Sequence, residues 1–346
     1  MSGHSTLIAL QEEHSWQQQL QEAIRTPDAL AEALHIPLED LPYSSAAHDS
    51  FPLLVPRAFA ARMRRGDPQD PLLRQVLAIE QENDELPGYS DDPVAEISTG
   101  KANPGVLQKY SGRALLILTG QCAINCRYCF RRHYPYSEAA ASSSQRLRNI
   151  DALLADESIG EIILSGGDPL LLPDSQLASI SDRIAEHATP RTLRIHTRLP
   201  IVIPDRVSSE LLEALSRPGL RCVVVLHSNH PQEIDQATAQ AIGRLRDAGL
   251  GVLNQSVLLA GINDDAQTLA ALSDRLFAAG AMPYYLHILD RVSGAAHFAV
   301  GRQRARRLVG ELAEMRPGYL VPRLMVEVAG AGSKRELAPI YSDCSE

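Results

Sequence analysis

The strongest structural signal in the chain is RALLILTGQCAINCRYCFRRHYPY, residues 113–136. Its apolar start, Arg113–Thr119, predicts a buried strand, and a polar loop with three cysteines follows directly. The cysteines are Cys122, Cys126 and Cys129, in the spacing C-x3-C-x2-C. Three thiolates on one short loop can bind three irons of a [4Fe–4S] cluster, because soft sulfur ligands suit iron in a sulfide cage. No fourth cysteine stands nearby in the sequence, so one iron would stay open to another ligand.

Two other interpretations of these cysteines stay open. A structural zinc site takes four ligands, usually as two pairs, and His133 is the only nearby candidate for a fourth. The thiols could also be unliganded residues of the core. We favour the cluster, since three cysteines in this spacing leave a zinc ion without a second pair of ligands.

Composition and charge narrow the class of protein. The chain has 346 residues, of which 45% are hydrophobic and 22% charged, values typical of a soluble globular protein. This length suits one large domain with a smaller one, or a single α/β barrel. A formal net charge of -9 argues against a general nucleic-acid-binding surface, which would need a basic face.

Targeting signals are not evident in the sequence. The first residues, MSGHSTLIALQEEHSW, contain neither a basic region nor a sustained apolar stretch, so we expect no secretory signal. No apolar run approaches the length of a membrane span. Five cysteines, three of them in one loop, do not form a disulfide framework in a chain of this size. We therefore predict a cytoplasmic protein, in a reducing compartment that also suits thiolate ligands.

The first part of the chain predicts a helical region, residues 1–95. Its apolar residues recur with helical spacing, and Thr26-Pro27 and Asp70 are typical of helix starts. The segment Glu85–Gly105 is rich in proline and glycine and marks a boundary. The predicted helices of this region are Leu7–Ile24, Asp28–Leu34, Pro56–Arg65 and Pro71–Asn83.

From about residue 110, strands and helices alternate, which implies parallel strands joined by right-handed crossovers. Six or so such units suit a partial (β/α)6 barrel, here residues 96–346, with its site at the C-terminal strand ends. An open doubly wound sheet would show the same alternation. The predicted strands are Ala114–Leu118, Glu161–Leu164, Leu193–His196, Cys222–Leu226, Val252–Leu258, Tyr284–Ile288 and Leu324–Val328. The predicted helices include Gln176–Glu186, Ser208–Leu215, Glu233–Ala248, Ala266–Ala279 and Gln303–Met315.

A second motif is Ser165-Gly-Gly-Asp-Pro-Leu170, which follows the predicted strand Glu161–Leu164. Its glycines let the backbone approach a ligand closely, and exposed amides at a strand end can hold an amino-acid moiety. In isolation, Gly-Asp-Pro is typical of an ordinary turn. Because the motif stands one strand after the cysteine loop, we interpret it as a ligand-binding loop.

A third motif is Ala329-Gly-Ala-Gly-Ser-Lys334, close to the end of the sequence. It lacks the spacing of a phosphate-binding loop, and Arg335 stands where Ser or Thr would be needed. Lys334 could be an ordinary exposed lysine. It could instead reach into the barrel mouth, where a depressed pKa would let its amine react with an aldehyde cofactor.

These motifs occur in the order seen in the lysine 2,3-aminomutases, a radical S-adenosylmethionine family that the chain resembles from about residue 85 onward. The resemblance implies a [4Fe–4S] cluster that cleaves S-adenosylmethionine to a radical, pyridoxal 5'-phosphate as a second cofactor, and conversion of L-α-lysine to (R)-β-lysine. The sequence ends twelve residues after Lys334, and in this it looks most like the members that serve modification of elongation factor P. Other segments that carry the resemblance are His196–Pro200, His227–Pro231, Asn254–Leu258 and Asp290–Phe298.

The resemblance also assigns residues to roles. Arg131 would bind the substrate carboxylate, and Asp290 with Glu327 its distal ammonium, although Glu327 replaces an aspartate of the family. Lys109 stands where the family usually has an arginine, which removes the bidentate fork. The cluster would be held by Cys122, Cys126 and Cys129. S-adenosylmethionine would be contacted by Ser165, Gly166, Gly167, Asp168 and Pro169. Pyridoxal 5'-phosphate would be held by Lys334, Lys109, Tyr110 and Arg113.

Other charged and aromatic residues near these motifs have less specific interpretations. We interpret Arg127 and Arg132 as surface charges or charges that flank the cluster. The histidines His196, His227 and His230 are interpreted as hydrogen-bonded walls of a pocket and not as a metal site.

The resemblance implies several partners: L-lysine, an electron donor such as flavodoxin or ferredoxin, and elongation factor P with its lysyl ligase. We expect neither a nucleic acid nor a membrane as a partner. Two alternatives stay open within enzymes: a producer of free β-lysine, or an aminomutase for another amino acid such as glutamate. The acidic pair Asp290 and Glu327 should repel the distal carboxylate of glutamate. A zinc-stabilised binding module is the alternative outside enzymes.

Overall fold

The computed structural model describes residues 15–97, 105–139, 142–187 and 191–341. In these ranges, nine strands form one sheet whose order follows the sequence. The strands are β1 Val106–Leu107, β2 Arg113–Thr119, β3 Glu161–Gly166, β4 Thr192–Thr197, β5 Arg221–His227, β6 Gly251–Leu258, β7 Met282–Ile288, β8 Arg323–Val326 and β9 Arg335–Glu336. Strands β2 to β8 pair in parallel, whereas β1 and β9 pair antiparallel at the two edges.

The sheet has the order expected for the partial (β/α)6 barrel. A doubly wound sheet would reverse its strand order at a switch point, whereas here each parallel strand pairs with the next one along the chain. All seven predicted strands are confirmed, with bounds that differ by a few residues at most. The sequence pattern does not reveal the edge strands β1 and β9, because each has only two residues.

Helices connect the successive parallel strands. The α-helices span Trp16–Gln21, Pro27–Leu34, Ser45–Ser50, Arg57–Ala60, Tyr136–Ala139, Ser143–Ala155, Asp174–Ala185, Leu199–Val202, Ser209–Leu215, Gln236–Asp247, Ala266–Ala279 and Arg302–Met315. Ala266–Ala279 has the predicted bounds, because the Asp265 side chain caps its first turn and Gly280, at φ 105°, ends it. None of the described helices is both long and apolar enough to cross a bilayer.

In the N-terminal region, one predicted helix is shorter than expected and another is wrong. Pro56–Arg65 contains only the short helix Arg57–Ala60, and Pro71–Asn83 contains two 3-10 turns, Leu73–Gln75 and Glu80–Asn83. The carbonyl of Gln75 accepts a hydrogen bond from the backbone N–H of Arg127 in the cysteine loop, at 2.9 Å. The N–H of Ile79, which would donate to this carbonyl in a continuous helix, donates to Oε1 of Glu82 at 3.3 Å instead. Of the predicted helix Leu7–Ile24, residues 7–14 lie outside the described residues, the helix is confirmed over Trp16–Gln21, and its predicted end is wrong because Ile24 forms a β-bridge with Val55.

The N-terminal region packs directly against the barrel. One continuous hydrophobic cluster contains Trp16 and Leu72 together with Ile195 and Leu226 of the sheet. Arg62 reinforces the contact, since its Nη2 donates to the carbonyl of Ile201 at 2.7 Å. The N-terminal region therefore covers the side of the barrel that carries the cysteine loop, while the boundary near residue 95 stays a prediction.

Candidate active site

The three cysteines lie on the loop that follows β2. The backbone N–H of Cys129 donates to the carbonyl of Cys126 at 3.0 Å, which folds the loop tightly. Burial, and then the neighbouring Cys129, raises the pKa of the Cys122 thiol well above its usual value. Burial, and then Cys126, raises the pKa of Cys129 to about 11. The three sulfurs thus act on one another electrostatically, so thiolates here need a positive partner.

Positive groups surround this loop. Arg131 and Arg132 oppose the rise in the pKa of Cys129, and Nη1 of Arg198 donates to Sγ of Cys126 at 2.7 Å. Among the described residues, no group of three or more His, Cys, Asp or Glu side chains is arranged around a single metal ion. In a [4Fe–4S] cluster each cysteine binds a different iron, so the sulfurs need not converge on one point. Three cysteines in a cationic setting therefore fit the cluster.

The motif Ser165–Leu170 is fastened to the cysteine loop. Backbone N–H groups of Gly167 and Asp168 donate to the carbonyls of Thr119 and Gln121, both at 2.7 Å. A Cβ at Gly167 would lie 2.0 Å from the Gln121 carbonyl oxygen. Glycine is needed there because the two loops touch through their backbones.

The buried side chain of Asp168 joins the loops after β3 and β4. Its Oδ1 accepts from the hydroxyl of Thr197 at 2.7 Å and from the N–H of Leu170 at 3.0 Å. Its Oδ2 accepts from the N–H groups of Arg198 and Leu199, at 2.8 and 2.9 Å. Burial raises the pKa of Asp168 and these bonds oppose the rise. Asp168 therefore shapes the predicted S-adenosylmethionine loop through bonds within the protein.

The guanidinium of Arg131 is paired with a carboxylate of the same chain. Its Nε and Nη2 donate to the two oxygens of Glu96, at 2.6 and 3.1 Å, and Nη1 donates to the Ser165 hydroxyl at 2.9 Å. Burial alone would raise the pKa of Glu96, but Arg131 and then Lys109 outweigh it and lower the pKa to about 2. The predicted carboxylate-binding arginine thus already has a bidentate acidic partner.

From Glu96, ion pairs continue to the C-terminal loop. Nζ of Lys109 lies 3.2 Å from Oε1 of Glu96 and 3.4 Å from Oε1 of Glu327. Nζ of Lys334 lies 3.3 Å from Oε2 of Glu327. Alternating charges therefore link Arg131, beside the cysteines, to Lys334, more than 200 residues later in the sequence.

The remaining residues predicted to hold pyridoxal 5'-phosphate lie beside this chain of charges. The hydroxyl of Tyr110 donates to Oε1 of Glu327 at 2.5 Å, and the guanidinium of Arg113 lies 5.2 Å from the Tyr110 ring centroid. Burial raises the pKa of Glu327, but Lys334 and then Tyr110 lower it by more. Two cationic side chains, Lys109 and Arg113, and the amine of Lys334 near a strand end fit a phosphate-bearing aldehyde.

The predicted acidic pair also meets at Lys334. Asp290 follows β7, and burial raises its pKa to about 7, with Lys334 opposing the rise and Glu327 adding to it. The two carboxyl groups thus differ in how easily they ionise, since the pKa of Asp290 is raised and that of Glu327 is lowered. A substrate cation beside Asp290 would lower its pKa and favour the ionised form.

Partly buried histidines lie on strands of the sheet near Lys334. Burial lowers the pKa of His196 on β4 and His287 on β7 well below the usual value, and Lys334 lowers both further. Burial also lowers the pKa of His227 to about 3. Lys334 thus lies near the C-terminal end of β8, since its ion-pair partner Glu327 directly follows that strand. His230 instead belongs to a turn, where its Nδ1 accepts from the N–H of Gln232 at 3.1 Å.

Arg127 and Arg132 flank the cysteine loop, but the interpretation as surface charges is wrong. Both guanidinium groups are buried and contact Oε2 of Glu82, at 2.5 and 2.9 Å. Glu82 belongs to the 3-10 turn Glu80–Asn83, so its place beside the loop depends on tertiary packing.

Sequence reasoning missed two residues of this site. Glu96 lies in a segment that reads as a loop, and Arg198 lies within a motif whose arginine carries no signal of its own. No sequence pattern points to either residue, because their partners are 35 and 72 positions away.

Comparisons with known proteins agree with this geometry. Residues 116–272 match the model of the radical SAM superfamily. The chain is 44% identical to a protein of Escherichia coli (strain K12) named L-lysine 2,3-aminomutase, over 96% of this chain and 97% of the relative. It is also 44% identical to a protein of that name from Haemophilus influenzae, over 94% and 96%. A third relative of that name, from Buchnera aphidicola, is 41% identical over 92% of this chain and 94% of its own.

Proposed function

The chain belongs to the family of proteins named L-lysine 2,3-aminomutase, isomerases of the radical S-adenosylmethionine superfamily, and on this premise we propose that it converts L-α-lysine to (R)-β-lysine. The reaction moves an amino group from C2 to C3 and so requires removal of a hydrogen from the unactivated C3. A bound cluster with S-adenosylmethionine supplies a radical for that step, and pyridoxal 5'-phosphate supplies a π system for the migrating amine.

Cys122, Cys126 and Cys129 would hold the [4Fe–4S] cluster, and residues 165–169 would contact S-adenosylmethionine beside it. Support comes from the backbone bonds between the two loops, which keep the motif next to the cysteines. A ligand bound to the open iron would therefore meet both loops.

Lys334 would hold pyridoxal 5'-phosphate, with Lys109, Tyr110 and Arg113 around its phosphate and ring. Support comes from Glu327, whose carboxylate contacts Nζ of both Lys334 and Lys109, at 3.3 and 3.4 Å, and so keeps the two amines together after β8. Lys109 would attract the phosphate as a point charge, without the fork of an arginine.

Arg131 would bind the carboxylate of lysine, and Asp290 with Glu327 would bind its distal ammonium. This assignment depends on a single observation: the cationic Arg131 lies beside the cysteines, whereas the two acids lie beside Lys334. The carboxylate of lysine would share Arg131 with Glu96, which already accepts two hydrogen bonds from it, and the acids near Lys334 would face the distal ammonium. A glutamate substrate would bring a second carboxylate against the acids.

We further propose that the β-lysine serves modification of elongation factor P through a lysyl ligase, in the cytoplasm, with flavodoxin or ferredoxin as electron donor. Support comes from the resemblance of the sequence to the lysine 2,3-aminomutases that serve modification of elongation factor P. Mass spectrometry of elongation factor P from cells with and without this gene tests the link. Loss of a β-lysyl mass increment without the gene is expected, and an unchanged mass would refute the link while leaving the isomerase activity intact.

The activity itself is tested by anaerobic incubation of reconstituted protein with L-lysine or L-glutamate. Chiral chromatography should find β-lysine from lysine and no β-glutamate from glutamate. Formation of β-glutamate without β-lysine would overturn the substrate assignment. Zinc in place of iron and sulfide in anaerobically purified protein would favour a binding module instead.

A further inference from the structure

Arg198, just after β4, makes a direct contact with the cysteine loop that the proposed reaction does not use. Its Nη1 lies 2.7 Å from Sγ of Cys126 and 2.7 Å from the hydroxyl of Tyr128. The residue is 7% exposed, so the contact is shielded from water. A guanidinium nitrogen has only hydrogens to offer, so the sulfur is the acceptor.

The orientation of this guanidinium is fixed from behind. Nη2 donates to Oε1 of Gln75 at 2.8 Å and to Oε2 of Glu233 at 3.0 Å. Glu233 is itself completely buried, and its other oxygen accepts from the N–H groups of Asn229 and His230, at 2.9 and 3.0 Å. Arg198 therefore cannot swing away from the sulfur without breaking a buried ion pair.

We propose that Arg198 is a positioning residue that sets the reduction potential of the [4Fe–4S] cluster through its hydrogen bond to Cys126. The inference uses the cluster of the proposed function but not the identity of the amino-acid substrate. Adding one electron to the cluster increases the negative charge on its sulfur ligands. A cationic N–H donor at a ligand sulfur stabilises the reduced form more than the oxidised form, and so raises the potential.

A neighbouring arginine gives a matched control. Arg132 is buried beside the same loop and is paired with a buried glutamate, Glu82, at 2.9 Å. Its Nη1 donates to the carbonyls of Arg127 and Gly294, at 3.1 and 3.2 Å, and not to a sulfur. A role that depends only on a buried arginine near the cysteines would therefore affect both residues alike.

The experiment compares R198K and its matched control R132K, together with the double variant R198Q/E233Q, with the unchanged protein. R198Q/E233Q removes both partners of its pair, and R132K keeps a positive charge beside Glu82, which Arg127 also contacts, so no lone charge stays buried. Each protein is reconstituted anaerobically, its iron and sulfide are measured, and its cluster is titrated by EPR against a redox scale without lysine or S-adenosylmethionine.

R198Q/E233Q should make reduction about tenfold less favourable, which for one electron is about 59 mV toward negative potential. R198K should shift in the same direction by less, and R132K should stay within a twofold change. Equal shifts in R198K and R132K, or no shift in R198Q/E233Q, would overturn the proposal. A folded R198K that assembles no cluster would also overturn it, because Arg198 would then serve assembly. Lysine turnover is measured separately, so a protein with the expected shifts but no β-lysine would refute the proposed function alone.

Discussion

The carboxylate of Glu96 accepts two hydrogen bonds from the guanidinium of Arg131, at 2.6 and 3.1 Å. The pair lies beside the cysteine loop, and Lys109 contacts the same carboxylate at 3.2 Å. Both residues are buried, so each one neutralises a charge that would be costly to bury without a partner. The cationic end of the proposed lysine site is therefore held in place by an acid from the N-terminal side of the barrel.

Replacing Glu96 should destabilise the fold. The native pKa of about 2 lies below the unfolded value, so the carboxylate stabilises the protein above about pH 4 and this contribution is lost as the pH falls toward 2. E96Q should lower the free energy of unfolding by about 3 kcal/mol at pH 7 in urea titrations. The exposed pair Arg323–Glu336 gives the control, because E336Q should cost under about 1 kcal/mol. Equal effects of both variants would contradict the larger contribution to the free energy of unfolding that we expect from the buried pair.

Asp290 should make lysine binding depend on pH. Its pKa of about 7 means that the empty site carries a proton on Asp290 below pH 7, whereas a substrate ammonium needs the ionised form. The KM for lysine should therefore rise as the pH falls below 7, approaching about tenfold per pH unit. D290N should have a higher KM without this dependence, measured from pH 6 to 8. E327Q should raise KM at every pH and move the inflection to lower pH, because Glu327 helps to raise the pKa of Asp290. An inflection that survives in D290N would assign it to another group.

Lys334 should be the attachment point of pyridoxal 5'-phosphate. The chain has three lysines, Lys101, Lys109 and Lys334, so the alternatives are few. K334A should lose the visible absorbance of the bound cofactor and the mass adduct left by borohydride reduction. K101R and K109R should keep both signals, although K109R changes a proposed phosphate contact. An adduct that persists in K334A would place the cofactor on another lysine.

Gly167 should be needed for the cysteine loop to hold iron. A Cβ at this position would meet the Gln121 carbonyl oxygen at 2.0 Å, so G167A must displace one of the two loops. Iron and sulfide per chain after reconstitution should fall at least about twofold, while the free energy of unfolding from thermal denaturation changes by a few kcal/mol at most. G318A is the control, because nothing lies within 4 Å of a Cβ there. Full iron loading of G167A would mean that the loops can separate without affecting the cluster.

The sequence predicts those parts of the site that are local in the chain. The cysteine loop, the Ser165–Leu170 motif and the strands that precede them are continuous patterns of apolar and polar residues, so spacing is sufficient. The prediction of a helix over Pro71–Asn83 is wrong: the Gln75 carbonyl bonds to the distant cysteine loop, and the Ile79 N–H bonds to the Glu82 side chain. The contacts of Glu96 and Arg198 depend on where distant loops meet, and residue spacing carries no information about that.

The central claim is that a radical made at the cysteine loop removes hydrogen from C3 of lysine held between Arg131 and the acids near Lys334. The most direct measurement uses L-lysine with deuterium at C3, incubated anaerobically with the reconstituted protein, S-adenosylmethionine, pyridoxal 5'-phosphate and a reductant. Mass spectrometry should find deuterium in 5'-deoxyadenosine or recovered S-adenosylmethionine, together with β-lysine. Formation of β-lysine with all deuterium retained in lysine and its product, or no β-lysine from a protein fully loaded with iron, would contradict the account.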